Sequence, residues 1–461
     1  MVDVVPSFIE SARGRPSCLI PCQIPFFNNI CGAAECDGWV SFGHDIPSTK
    51  LKSLYIRESY RTISSSIKSG VNKATITGTP GIGKSLFLVY LFWMLVKKGK
   101  RVLFIHHPLN IYYNGQGSVF QISNDNFPSD IDYSFWNDTL WCLFDAKHKT
   151  EVDLAKIPYE FCTIVLSTSP RRDMVNDFKK PPVPQYFYMP VWTETELEKI
   201  APTFSNATEW RDRFKILGGI PRYVLEDMTL NPKTIIEDAC SSCSLDECIK
   251  KIGINSSIND KSKVIHSLIH MTSTTPFTES SVCYASQAVL NTIIEKKRTE
   301  AKRRMEELLA SCEGNPLTAS LCGYIFEPYV LELLEQGGTF SCRQLVRGNT
   351  KKQPSDTTLV IPPSTKVVVD KVLPNQTLNQ LHVPRTKNYT AIDTWIPGIG
   401  AFQITVSKKH DINNGAIKDL ALLGNGANKF YWLLPPLYYH SFTKKSPQEI
   451  DQYAVLIHYP Q

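Results

Sequence analysis

The chain has 461 residues, of which 42% are hydrophobic and 20% charged, enough for two or three domains and unlike a wholly disordered or collagen-like chain. Fifty Lys and Arg against 44 Asp and Glu leave a net charge of +6, a mild excess compatible with an acidic partner. The longest apolar run, Leu86 to Val96, falls short of the roughly 20 residues a bilayer helix needs, so no membrane association is expected.

Residues 1–50 carry scattered Pro, Gly and Cys with no sustained period and are expected to be irregular. The opening Met-Val-Asp-Val-Val-Pro lacks the basic and apolar regions of a secretory leader. With thirteen cysteines, an odd number, this predicts reduced thiols in a reducing compartment. Cys18, Cys22, Cys31 and Cys36 are spaced C-x3-C-x8-C-x4-C, and the inner gap is too short for a common zinc ribbon or finger.

From Leu51 the pattern becomes regular. Strands are predicted at Ala74–Thr77, Val102–Ile105, Leu140–Phe144, Thr163–Leu166 and Tyr186–Met189, with helices between several of them, as in a parallel sheet. Asn110 to Asn137 is too rich in Gly and Asn for an assignment. Beyond Thr193 mostly helix is expected, with few breakers in Ile235–Ile269 and Ser280–Ser311. The second stretch carries Lys296-Lys297-Arg298 and Lys302-Arg303-Arg304, either a solvated helix face or a contact for nucleic-acid backbone or nuclear import. A new unit begins near Gly314 with a helix through Phe326 to Glu335, a stop at Gly337-Gly338, and β-rich segments to the end. From Pro316 onward there are 14 basic and 10 acidic residues, so the last third holds +4 of the net charge.

The strongest motif follows the first strand: Gly78-Thr79-Pro80-Gly81-Ile82-Gly83-Lys84-Ser85 matches G-x-x-x-x-G-K-S between a strand and a helix. Such glycines let successive backbone N–H groups curl around a phosphate, and the helix N-terminus adds partial positive charge. Lys84 is expected to reach the terminal phosphates of ATP or GTP, and the Ser85 hydroxyl to ligate Mg2+. Asp145 ends an apolar strand where it would hold the magnesium through water or else cap the next turn, but the next residue is Ala146, where many related proteins carry a catalytic Glu. Ser167, opening Ser167-Thr168-Ser169-Pro170, is placed to sense the terminal phosphate, unless this is a plain turn. Arg171 and Arg172 follow as an arginine finger or a solvated pair. Arg222, on Gly218-Gly219-Ile220-Pro221-Arg222, could swing over the phosphates from the start of the lid, unless this is an ordinary helix-to-helix turn with an exposed Arg.

The second constellation is C-terminal. Ala391 to Trp395 reads as a strand, Pro397 to Gly400 as a turn and Ala401 to Ser407 as the returning strand, which can bring Asp393 beside Gln403. Lys408, Lys409 and His410 follow at once. An acid, an acid or amide on the next strand and a nearby Lys suit metal-dependent phosphodiester cleavage, with Glu327 completing the metal shell. On spacing alone, D-x9-Q-x-T also fits a plain surface hairpin.

With these residues the chain resembles the Crinkler effectors of oomycetes and fungi and the retrotransposon hot spot proteins of trypanosomes. The matching features run from Leu54-Tyr55-Ile56-Arg57 through Gly78 to Ser85, Ser167 to Pro170, and Gly218 to Arg222. Further on they include Phe326-Glu327, Gly337-Gly338 and Phe402-Gln403-Ile404-Thr405-Val406-Ser407, so the likeness covers roughly residue 50 to the end. The resemblance implies an α/β P-loop NTPase, similar to AAA+ and STAND ATPases, fused to a restriction-endonuclease-like domain of the PD-(D/E)xK superfamily. It divides the chain into an irregular segment 1–50, an NTPase core 51–234, a helical lid or linker 235–313 and a nuclease domain 314–461.

Two departures stand out. The superfamily's E-x-K is here Gln403-Ile404-Thr405, leaving Lys409 as the substitute if the strand continues and Lys408 if it ends at Ser407. Crinkler proteins commonly begin with a ubiquitin-like header, which residues 1–50 do not match. The expected function is an effector in which nucleotide state regulates a Mg2+-dependent endonuclease acting on double-stranded DNA, in the nucleus or cytoplasm, with self-association possible. The alternative is a nucleotide-switched DNA- or partner-binding protein whose nuclease-like domain does not cut.

Overall fold

The computed structural model describes residues 19–67, 72–123, 127–170, 178, 180, 182–205, 207–226, 231–249, 253–254, 266–311, 316–346, 354–370, 372, 378, 380–384, 392–407, 412, 414–422, 429–447 and 449–460. The chain divides into two compact units, Met1–Val289 and Leu290–Gln461, so the stretch 235–313 is shared between them. Each is a mixed α/β assembly around an eight-stranded sheet.

The strands of the first unit are β1 (Leu19–Pro21), β2 (Ala34–Cys36), β3 (Trp39–Ser41), β4 (Ser53–Tyr55), β5 (Lys73–Thr77), β6 (Arg101–His106), β7 (Leu109–Tyr113), β8 (Val119–Ile122), β9 (Leu140–Asp145), β10 (Thr163–Ser167), β11 (Gln185–Tyr188), β12 (Gly253–Ile254), β13 (Ile269–Thr272) and β14 (Ser281–Tyr284). The large sheet runs β1-β8-β7-β6-β9-β10-β5-β11. From β6 to β11 every pairing is parallel, while β7, β8 and β1 add an antiparallel edge. Every residue of β5, β9 and β10 is buried, as expected for parallel strands covered on both faces. Their alternation divides the core: Leu143 and Val165 face one cluster, Cys142, Phe144, Ile164 and Leu166 the other. The helix Lys84–Lys97 buries ten of its fourteen residues, so it is a central helix rather than a surface one.

Three parts differ from the sequence expectation. Residues 19–55 form β1 on the main sheet and a small sheet β2-β3-β4. Strands of three residues are too short to print a period on the sequence. The Gly- and Asn-rich stretch begins as the hairpin β7–β8, where Asn114 Oδ1 accepts the amides of Gln116 (2.8 Å) and Ser118 (3.1 Å). Helices cover Pro232–Ser242 and Leu245–Ile249, but β12, β14 and β13 then form a third sheet where helix was expected. Val282, Cys283 and Tyr284 pair with β13, and the long helix starts only after Ser286, whose hydroxyl accepts the Val289 amide at 3.1 Å.

In the second unit the strands are β15 (Gly338–Gln344), β16 (Thr357–Ile361), β17 (Thr365–Val369), β18 (Gln380–Pro384), β19 (Thr394–Ile396), β20 (Gly400–Ile404), β21 (Lys429–Leu434) and β22 (Asp451–Leu456). They are ordered β16-β15-β22-β21-β20-β19-β18-β17. The expected hairpin is present as antiparallel β19–β20, and β20, β21 and β22 run parallel. The helix Asn414–Leu422 makes the crossover from β20 to β21. Trp395, Trp432, Phe430 and Ala454 lie together in the core.

Candidate functional site

In the first unit the loop Gly78–Ser85 leaves the carboxyl end of β5, and Gly83 takes φ +96 to turn the chain into the helix Lys84–Lys97. That left-handed conformation favours glycine, and the Tyr60 hydroxyl closes on the Gly83 carbonyl at 2.8 Å. Lys84 is buried and donates from Nζ to the Gly78 and Thr79 carbonyls at 2.8 and 2.9 Å. Burial lowers its pKa to about 7, with Arg222 pushing further down and Asp145 pulling up. An ammonium held this way is short of a counter-charge, which a phosphate would supply.

Asp145 ends β9 and stands in register with Ser167 at the end of β10. Burial works to raise its pKa, but hydrogen bonds from His106 and Ser85 outweigh burial and hold it below the ordinary value. Its Oδ1 also accepts the Lys147 amide at 3.1 Å. Ser167 is buried, and its carbonyl accepts the Ala146 amide at 2.9 Å. Arg222 sits on the short helix Pro221–Val224, and a Cβ built on Gly81 would lie 3.7 Å from its Nε. Pro80 to Ser85, Asp145, Ser167 and Arg222 all line one cavity of about 970 Å³. Thr79 lies behind it, wholly buried, with its hydroxyl accepting the Met271 amide at 2.9 Å. Gly78 follows the last residue of β5 at φ +148 and opens the loop. Arg171 and Arg172 lie outside the described residues.

Several participants carry no motif. Trp39, Lys50 and Phe204 line the same cavity from segments read as irregular or helical, and Tyr55 lines it from the Leu54-Tyr55-Ile56-Arg57 run, which also supplies Arg57. Arg57 is almost wholly buried; its guanidinium binds both Glu196 oxygens at 2.9 and 3.0 Å and the Pro190 and Val191 carbonyls, over the Trp192 ring. Trp192 in turn donates from Nε1 to the Ile82 carbonyl at 2.7 Å, anchoring the loop. The basic run is partly spent within its own unit: Arg298 and Lys302 meet Glu332, and Arg304 meets Glu300 and Glu307. Cys22, Cys31 and Cys36 are free thiols, the first buried and the others exposed.

In the second unit, the hairpin β19–β20 sets Asp393 beside Gln403. Asp393 Oδ2 accepts the Gln403 Nε2 amide and the Ile404 backbone N–H, both at 2.7 Å. Glu327, on the helix Pro316–Gln336, is near enough to act on Asp393 electrostatically. Burial raises the Asp393 pKa to about 7, against the Ile404 hydrogen bond and with the Glu327 charge adding to it. Gln403 Oε1 is a buried acceptor with no hydrogen-bond partner. Two neighbouring carboxylates and an orphaned amide oxygen are an oxygen donor set short of a cation, and they fit a hard divalent ion. No group of three or more His, Cys, Asp or Glu side chains that could hold a metal is found among the described residues. Strand β20 ends at Ile404, and the Thr405 hydroxyl accepts the Ser407 amide at 3.1 Å, so the alternation stops before Ser407. Lys408 and Lys409 lie outside the described residues.

Among curated proteins, the chain is 43% identical over 449 residues to Crinkler effector protein 15 of Phytophthora infestans, covering 95% of this chain and 72% of that one. Crinkler effector protein 16 of the same organism matches with the same identity and coverage. No protein-family model matches the chain. No described helix is long and apolar enough to cross a membrane.

Proposed function

The chain belongs to the Crinkler family, and on that premise we propose that it is an effector in which a P-loop NTPase regulates a Mg2+-dependent DNA endonuclease. The observation that carries this reading is the convergence of the loop Pro80–Ser85 with Asp145, Ser167 and Arg222 on a single cavity large enough for a nucleotide. It is supported by the strand order, in which β10 lies between the loop strand β5 and the acid strand β9, as in AAA+ and STAND ATPases. In this reading Lys84 leaves the Gly78 and Thr79 carbonyls for the phosphates of ATP or GTP. Arg222 approaches the same charge from the lid, and Ser167 contacts the terminal phosphate from β10.

Ser85 and Asp145 would hold one Mg2+ and Glu327, Asp393 and Gln403 another. The bound ions would neutralise phosphate charge and, in the second unit, activate water for attack on a phosphodiester. There Glu327 and Asp393 orient the water, and Lys408 or Lys409 steadies the developing charge. The antiparallel β19–β20 pair followed by a helix and parallel β21 supports the restriction-endonuclease-like assignment. Duplex DNA is the proposed substrate, the nucleus or cytoplasm the proposed place of action.

One observation favours the second reading, a nucleotide-switched binder that does not cut. The Gln403 amide donates a hydrogen bond to Asp393 where a carboxylate would repel it, and the strand ends without a lysine. A supercoiled-plasmid assay with Mg2+, with and without ATP, separates the two. Nicking by the parent protein that Asp393→Ala abolishes, and that Lys84→Ala uncouples from ATP, is the expected result. Nucleotide-dependent DNA retention with no nicking at any metal concentration would establish the binder instead.

A further inference from the structure

His106 is a buried titratable side chain at the edge of the nucleotide cavity to which no motif assigns a role. It ends β6, one residue past the Ile105–Phe144 pairing that sets β6 beside β9, so it reaches the carboxyl edge next to Asp145. The ring is 4% exposed and stacks on Phe104 with a centroid separation of 5.6 Å and an interplanar angle of 5°. Its Nδ1 lies 2.9 Å from Asp145 Oδ2 and its Nε2 lies 3.1 Å from the Ser48 hydroxyl. A carboxylate only accepts, so Nδ1 carries the proton; in the neutral ring Nε2 then accepts from Ser48.

A histidine that merely fills a core needs one nearby partner. Here both nitrogens are committed to side chains that line the same cavity, Asp145 and Ser48. Ser48 itself is held at φ +63 within a tight turn. Thr49 fixes that turn, donating from its hydroxyl to the Ile46 carbonyl at 2.8 Å and accepting the Leu51 amide at 3.1 Å. Ser85, Asp145, His106 and Ser48 thus form a continuous chain of hydrogen bonds from the helix N-terminus to the turn that presents Lys50 to the cavity.

We propose that His106 is the positioning residue of the nucleotide site, orienting the Asp145 carboxylate toward the Mg2+–nucleotide complex and tying it to the Ser48 turn. This rests on the nucleotide-binding reading above. His106 occupies a lone pair of Asp145 Oδ2 and the Lys147 amide one of Oδ1, which fixes the plane of the carboxylate and leaves its other lone pairs for Ser85 and the water shell of the ion. Because Ala146 follows Asp145, no second acid on β9 can compensate if the carboxylate turns away.

The test is calorimetric binding of non-hydrolysable ATP and GTP analogues to the full chain, in Mg2+ and in EDTA. Asn can reproduce the Nδ1 donor to Asp145, whereas Gln can reproduce only the Nε2 contact to Ser48. The expected result is that His106→Gln loses about tenfold or more of the affinity gained with Mg2+, with EDTA affinity unchanged. His106→Asn keeps most of that gain, and Ser48→Ala loses a smaller part. Equal Mg2+ gain in the Gln and Asn variants, or equal losses in Mg2+ and EDTA, overturns the proposal while Lys84-dependent binding by the parent protein keeps the nucleotide reading. No analogue binding by the parent protein overturns both.

Discussion

Asp393 is a buried carboxyl held far from its ordinary state. Its carboxyl, held up to about 7 by burial and by Glu327, is raised above its unfolded value of 3.8. A raised carboxyl contributes stability that is complete below the unfolded pKa and is lost as pH rises through the folded one. The window is therefore about pH 4 to 7, and the metal-free protein weakens across it. Asp393→Asn removes that charge while keeping an acceptor for the Ile404 amide. It should stabilise the protein in EDTA, with the gain growing by about 2 kcal/mol between pH 5.5 and pH 8. Thermal melts at the two pH values check this, and Mn2+ should stabilise the parent at pH 8 but not the variant. A gain that does not depend on pH would mean that Asp393 is not the strained group. The hairpin that joins Asp393 to Gln403 was legible from alternation and the Pro397–Gly400 turn. The charge state was not, because it depends first on burial in the folded unit and then on Glu327, from a helix 66 residues earlier in the chain.

At the scale of elements, the phosphate loop and the lid turn are braced by neighbours remote in sequence. Trp192 donates its backbone N–H to the Gly219 carbonyl at 2.8 Å, and a Cβ on Gly219 would fall 1.9 Å from the Trp192 carbonyl oxygen. Gly219→Ala must therefore shift the backbone, at a cost of about 1–3 kcal/mol. The same Trp192 holds the Ile82 carbonyl, so the variant should melt lower and bind nucleotide more weakly, whereas Gly32→Ala, with open space at its Cβ, should do neither. Melting curves and a nucleotide titration read both effects, and an unchanged melting temperature would sink the argument. On the other side of the turn, β13 gives the Met271 amide to Thr79 and sets the His270 ring against Gly218. Burial, aided by His266, lowers the His270 pKa to about 3, so this ring stays neutral through the physiological range. The sequence singles out Arg57, Thr79 and Gly219 but not their partners: Met271 and Thr79 are 192 residues apart and Arg57 and Glu196 are 139 apart.

For the whole molecule, the two candidate sites belong to separate compact units, so each ligand should first protect its own. Hydrogen exchange should slow in β5, the loop and the helix Lys84–Lys97 on adding nucleotide in EDTA, and in residues 393–404 on adding Mn2+ alone. No slowing in β5, the loop and the helix Lys84–Lys97 on adding nucleotide would contradict the placement of the nucleotide site in the first unit. The sequence by itself determined the phosphate loop, the apolar parallel strands β5, β9 and β10, and the hairpin carrying Asp393 and Gln403. Each is written in local spacing: glycines at a turn, continuous apolar runs, alternation across a pleat. Only the tertiary structure decided the antiparallel edge β7-β8-β1, the small sheets β2-β3-β4 and β12-β14-β13, and the cavity wall holding Trp39 and Ser48, with His106 joining Ser48 to Asp145. Apart from β7 these strands have only two to four residues, too few to carry a period, and β1 finds β8 from far away in the chain.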